Sequence, residues 1–218
     1  MDAFPATLGR LQPHLSADEN ERASRFHFNR DRTRFIAARG ALRELLGGYL
    51  RLPPGAITFH YDGHKKPSLD GKLTGKSLNF NVSHSDDVVV YAFGWDRNIG
   101  IDVEKMRQDF GGEDVARRYF SSGEVSRLMT LDQRDRSLGF FNCWTRKEAY
   151  VKACGEGLEI PLDSFEVSLE PGKLGRFLGG VDDKWHLAAF DVDEFSPGAV
   201  VYDGSPCDLR FLSRSNVP

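Results

Sequence analysis

Trp144-Thr-Arg-Lys147-Glu148-Ala-Tyr-Val-Lys152-Ala-Cys-Gly155-Glu-Gly157-Leu158 reads as the closing turns of a helix and its stop. Leu138, Phe141, Trp144 and Val151 recur at helical spacing and Gly155 supplies a terminator, which predicts a helix from Ser137 to Cys154. On that helix Glu148 and Lys152 lie four apart, so a carboxylate and an ammonium project from one face. Taken alone, such a pair is an ordinary surface ion pair worth roughly a few tenths of a kcal/mol.

A second acidic cluster changes that reading. In Ile99-Gly-Ile-Asp102-Val-Glu104 the apolar residues alternate with Gly100, Asp102 and Glu104, the pattern of a strand with both carboxylates on one side. A solvated strand edge has the same pattern. Two carboxylates at i and i+2, joined by a third from a helix, instead make an all-oxygen site suited to magnesium.

Three stretches in order, Asn79-Phe-Asn81-Val-Ser83-His84-Ser85, Gly100-Ile-Asp102-Val-Glu104 and Trp144-Thr-Arg-Lys147-Glu148-Ala-Tyr-Val-Lys152, resemble the motifs of the stand-alone, surfactin-type 4'-phosphopantetheinyl transferases. The resemblance runs from about Ser16 to Leu169. It implies an α+β fold of two similar α/β-sandwich halves in one chain, related by a pseudo-twofold, with the active site in the cleft between them. Residues 1–105 form the N-terminal half, with the coenzyme A phosphate contacts and two metal carboxylates. Residues 106–218 form the C-terminal half, with the helix of Glu148 and Lys152. One chain then holds both parts of the site and works as a monomer.

The implied reaction is transfer of the 4'-phosphopantetheine arm of coenzyme A to a serine hydroxyl of an apo acyl or peptidyl carrier protein, releasing adenosine 3',5'-bisphosphate. By resemblance, Asp102, Glu104 and Glu148 are the ligands of Mg2+. Glu148, directly or through water, accepts the serine proton, and Lys152 stabilises the departing phosphate. Arg22, Lys66, Ser83 and His84 meet coenzyme A, with Asp102 and Lys152 beside them. The family's usual Gly-Lys-Pro appears here as Lys65-Lys66-Pro67, so a lysine replaces the glycine. Carriers of nonribosomal peptide, polyketide, fatty-acid and lysine pathways all present a similar serine loop, and the residues do not choose among them. Two other readings stay open at this point: a Mg-dependent nucleotide pyrophosphate hydrolase, and a non-catalytic carrier-binding module.

Composition narrows the classes. The chain has 218 residues, 40% of them hydrophobic, enough for one large or two small cores. It contains no run of 18 apolar residues, and Met1 to Leu15 lacks the basic start and apolar middle of a secretory signal, which predicts a cytoplasmic protein with no membrane contact. Cys143, Cys154 and Cys207 are odd in number and form no CxxC, arguing against a zinc site or a disulfide framework. The net charge of -3 hides an asymmetry: residues 1–66 carry eleven Lys and Arg against seven Asp and Glu, the remainder eighteen against twenty-five. The basic front suits a small polyphosphate, while the acidic total and the lack of a basic tail count against nucleic acid.

Along the chain, Ser16-Ala-Asp-Glu19 is a capping box for a short helix. A long helix spans Asp31 to Leu50 and ends at Gly47-Gly48 and Pro53-Pro54, with its arginines on solvated surface. Strands follow at Ile57–Tyr61, Leu78–Val82 and Val88–Trp95, the last a buried central strand that turns at Asp96-Arg-Asn98 into Ile99. Helices at Asp114–Phe120 and Ser121–Leu131 precede the long helix, and strands at Phe165–Leu169, Trp185–Val192, Ala199–Tyr202 and Leu209–Leu212 follow it. Lys147, beside Glu148 but turned about 100 degrees from it, suits packing or a partner surface. Gln108–Arg118 and Met129–Leu138 are the expected landing surface for the carrier.

Overall fold

The structure, a computed structural model, describes residues 3–61, 67–69, 76–107, 112–155 and 160–213. Its N-terminal part holds α1 (Ala3–Leu11), α2 (Ala17–Ser24) and α3 (Asn29–Leu50), then β1 (Phe59–Tyr61), β2 (Pro67–Leu69), β3 (Leu78–Ser85), β4 (Val88–Trp95) and β5 (Ile99–Val103). Helices α4 (Glu113–Tyr119), α5 (Ser122–Thr130) and α6 (Gln133–Cys154) follow, and then β6 (Glu166–Val167), β7 (Phe177–Gly179), β8 (Trp185–Asp191) and β9 (Pro197–Asp203). The fold is α+β. No helix among the described residues is long and apolar enough to cross a membrane.

The expected capping boxes are present at α2 and α5, where the Ser16 and Ser121 backbone N–H groups donate to Glu19 and Glu124 at 3.0 and 2.9 Å. Helix α3 does not stop at its paired glycines. It runs through them and ends at Arg51, which takes the left-handed conformation at φ 54°. Gly47 serves the return of the chain: Leu52 N donates to its carbonyl at 3.0 Å, and a Cβ there would sit 2.7 Å from the Leu52 oxygen. Two of the arginines expected on solvated surface are internal. Glu19, 2% exposed, is gripped by Arg43 at 2.7 Å and by Arg39 at 3.3 Å, which ties α2 to α3.

β3 and β4 form an antiparallel hairpin in register from Leu78↔Trp95 to Ser85↔Val88, closed by Asp86 and Asp87 with Asp86 at φ 50°. The strand therefore extends past Val82, and Ser83 and His84 sit inside the ladder. β4 is half-buried along most of its length, not a fully buried central strand. Nor does it turn into a hairpin with β5. β5 ladders with β9, from Ile99↔Tyr202 to Val103↔Gly198, and β9 continues to β8. All five β5 residues are buried, which rules out the solvated edge that its alternation allowed. Leu209–Leu212 is not a strand: Leu209 packs on the β5–β9 core as irregular chain.

The larger core gathers Phe120, Phe140, Phe141, Phe165, Val167 and Leu169 around α6. At its centre lies Lys147, fully buried, whose ammonium pairs with the fully buried Glu124 at 2.8 Å and donates to the Leu162 and Phe165 carbonyls, each at 2.6 Å. Glu124 also accepts from Val167 N at 2.8 Å, so one ion pair ties α5, α6 and β6 together. Of the two roles its place on the helix allowed, Lys147 takes packing. Lys147→Met leaves Glu124 charged and uncompensated, and urea unfolding should show a loss of about 3–5 kcal/mol.

Candidate active site

Period-two alternation turns Asn81, Ser83 and Ser85 of β3 to one side and His84 to the other. Ser83 Oγ donates to Asp102 Oδ1 at 2.8 Å, and Ser85 Oγ donates to Glu104 Oε2 at 2.7 Å. Asp102 of β5 and Glu104 just beyond it are thus both held from β3. Helix α6 comes down on the same strand at Gly100. A Cβ at Gly100 would fall inside the radii of the Ala149 carbonyl oxygen and the Ala153 amide nitrogen, and 2.9 Å from the Lys152 carbonyl carbon. Only glycine admits the helix backbone this closely.

The close approach brings Lys152 onto the strand. Its ammonium lies 2.6 Å from Asp102 Oδ1 and 3.0 Å from Ser83 Oγ. Asp102 is 3% exposed, and its other oxygen, Oδ2, is buried with no hydrogen-bond partner. Burial lifts the Asp102 carboxyl above its ordinary range, against the lowering pull of Lys152 and Ser83. Glu148 is raised by burial first and then by the Asp102 and Glu104 charges, with Lys152 opposing. Burial also raises Glu104, countered by Ser85 and joined by repulsion from Asp102. Three carboxyls and one ammonium therefore share one electrostatic neighbourhood.

Among the described residues no three metal-donor side chains stand already at ligating geometry, Asp102 Oδ1 being turned to Lys152. The donor set nevertheless fits a hard divalent ion. Its groups are all carboxylate oxygens, they repel one another, and the buried Asp102 Oδ2 lacks a partner that a cation would supply.

Beside Glu104 opens a cleft of about 1210 Å³ whose polar lining mixes Arg22, Arg30, Arg34, Lys105 and Arg107 with Asp31, Asp86, Asp87, His84 and Ser85, with Val115, Phe140 and Trp144 on an apolar wall. Arg22 is exposed, its guanidinium 5.2 Å over the Phe35 ring. Arg34 is braced by Asp87 at 2.7 Å. His84 is exposed on the cleft wall, whereas Ser83 is 6% exposed and belongs to the Asp102–Lys152 cluster. Asp102, Glu148 and Lys152 are not among the lining residues. Lys66 and its neighbour Lys65 lie outside the described residues.

Among the cleft residues given no site role from sequence are Ser85, Lys105 and Arg107. Ser85 had a legible signal, since it shares the alternation of Ser83 just as Glu104 shares that of Asp102. Lys105 had none; its ammonium is placed by Asp193 at 3.0 and 3.1 Å, a residue 88 positions away. Of the expected carrier surface, 108–111 lies outside the described residues, Arg117 and Arg118 are exposed, Ala116 is buried, and Met129 and Leu131 pack against the main core.

Residues 98–199 match the family described as 4'-phosphopantetheinyl transferase superfamily, and residues 4–94 match the one described as 4'-phosphopantetheinyl transferase, N-terminal. The chain is 41% identical over 211 residues to the 4'-phosphopantetheinyl transferase HetI of Nostoc sp. strain PCC 7120, covering 97% of this chain and 88% of the relative. It is 29% identical over 207 residues to the 4'-phosphopantetheinyl transferase Sfp of Bacillus subtilis strain 168, covering 94% and 90%. The L-aminoadipate-semialdehyde dehydrogenase-phosphopantetheinyl transferase of Xenopus laevis is 29% identical over 198 residues, covering 82% and 65%.

Proposed function

The chain belongs to the 4'-phosphopantetheinyl transferase superfamily, and from that premise we propose that it moves the phosphopantetheine arm of coenzyme A onto a serine of apo carrier proteins. The observation that carries the reading is the meeting of Asp102, Glu104, Glu148 and Lys152 in one cluster, of which Glu104 also lines a cleft with Arg22, Arg30 and Arg34.

In the reaction the carrier serine oxygen bonds to the β-phosphorus of coenzyme A while the bond from that phosphorus to the bridging oxygen breaks. Adenosine 3',5'-bisphosphate leaves with the electron pair. Arg22 and His84 face the cleft and offer donors to nucleotide phosphates, while Arg30, Arg34 and Lys105 line it already paired with Asp31, Asp87 and Asp193. Lys66 belongs to the same set by resemblance. Ser83 orients Lys152 and Asp102 at the edge of the pyrophosphate position. Lys152 offers its ammonium to the charge that develops on the leaving phosphate. Glu148, partly buried and with its carboxyl raised, takes the serine proton. Asp102, Glu104 and Glu148 would hold Mg2+, which when bound supplies charge neutralisation at the pyrophosphate.

The same reading divides the chain into halves 1–105 and 106–218 related by a pseudo-twofold, acting as a monomer in the cytoplasm. Support comes from the repeated plan: α3 and α6 each have 22 residues and each precedes antiparallel strands.

The test is the intact mass of an apo peptidyl carrier protein incubated with the protein, coenzyme A and magnesium. A gain of one phosphopantetheine arm, abolished by a chelator and by Glu148→Ala, is the expected result. Coenzyme A consumed with no carrier modified would sink the reading in favour of hydrolysis.

A further inference from the structure

β3 and β5 are neighbours, yet no backbone ladder joins them among the described residues. Side chains do the joining. Asn79 Nδ2 donates to the Arg97 carbonyl at 2.8 Å, Asn81 Oδ1 accepts from Ile101 N at 2.9 Å, and Ser83 Oγ donates to Asp102 at 2.8 Å. Ser85 closes the series: its hydroxyl donates to Glu104 Oε2 at 2.7 Å and accepts from Lys105 N at 3.0 Å. Asn79, Asn81 and Ser85 therefore meet backbone groups that a ladder would occupy in a continuous sheet, while Ser83 meets a side chain.

The consequence falls on Glu104. Beyond Val103 the β5–β9 ladder has ended, although Glu104 N still reaches the Pro197 carbonyl at 3.1 Å. Its carboxylate is half-buried at the edge of the cleft, where a flexible glutamate has several rotamers open to it. Ser85 engages both that carboxylate and the next peptide N–H through one oxygen, which selects a single rotamer against a single backbone position. We propose that Ser85 is a positioning residue that holds Glu104 in place for the divalent ion, an assignment that rests on the metal-dependent transferase reading above. A hydrogen bond to a ligating carboxylate is worth about ten- to a hundredfold in metal affinity.

The experiment measures Mn2+ binding directly, from the EPR signal of the free ion, in the presence of coenzyme A, for the wild type, Ser85→Ala, Ser85→Thr and Glu104→Ala. Ser85→Ala should weaken Mn2+ binding about tenfold, and Ser85→Thr, which keeps the hydroxyl, should stay within about twofold of wild type. Coenzyme A binding without metal should hardly move, and the melting temperature should fall by only a few degrees from the two lost hydrogen bonds. A purely structural serine would lower the melting temperature and leave the Mn2+ titration in place, which overturns the assignment. A direct substrate contact would weaken metal-free coenzyme A binding instead, and that also overturns it. If Ser85→Ala binds Mn2+ like wild type while Glu104→Ala does not, the Ser85 assignment alone falls. If Glu104→Ala also binds like wild type, the metal reading falls and takes Ser85 with it.

Discussion

Asp102→Asn should lower the transfer rate by roughly 10³-fold while costing the fold only about 1–2 kcal/mol. Asparagine is isosteric and its Oδ1 still accepts from Lys152 and Ser83, which in the native protein approach Asp102 Oδ1 at 2.6 and 2.8 Å. Its amide nitrogen, however, puts two N–H donors where the buried, partnerless Oδ2 now lies. A group poised to accept a cation becomes one that repels it. Stability should fall modestly, because the amide buries two donors without partners and leaves the Lys152 ammonium without its counter-charge, which offsets the relief of a carboxyl that burial lifts above its ordinary range. Carrier-modification kinetics and urea unfolding of the same preparation check both halves. Full activity in the Asp102→Asn variant would remove this aspartate from the site.

The second large effect comes from a residue with no side chain. Gly100→Ala should destabilise the protein by about 3 kcal/mol, at the upper end of the cost of overpacking, because the atoms opposing the new methyl are the backbone of α6 at Ala149, Lys152 and Ala153. Flexible side chains yield to a methyl; a helix backbone yields only by moving as a body. α6 carries both Glu148 and Lys152, so its retreat by about 1 Å should cost transfer about 10²-fold even under conditions that keep the chain folded. Ile101→Val, next along the strand, is the control: it shortens a buried side chain without pushing the helix, and should cost about 1 kcal/mol and little activity. Equal effects of the two variants on rate would show that helix placement is not what Gly100 protects.

Helix α6 carries two kinds of charge. Lys147 and Lys152 lie five residues apart, yet one is sealed in the core against Glu124 and the other reaches Asp102 at 29% side-chain exposure. Their places in one motif hide opposite surroundings: the first ammonium is sealed in the core, and the second joins the Asp102–Ser83 cluster.

Much of this protein is written in local pattern. The period-3.6 apolar residues of α6 with Gly155 behind them, the two capping boxes, and the alternation of Ile99, Ile101 and Val103 each determine a local conformation, because each depends on neighbours within a few residues. The order of three motifs singled out Asp102, Glu104, Glu148 and Lys152, residues that the fold then brings into one neighbourhood. What local pattern could not decide was partner choice. That β5 leaves β4 for β9, that Lys152 reaches across 50 positions to Asp102, and that Asp193 holds Lys105 from 88 positions away are set by which surfaces must be buried together. The same physics explains why β5 is buried throughout although its sequence alternates: α6 and the side chains of β3 cover the polar face, and a strand's pattern records its own residues but not what is laid on top of them.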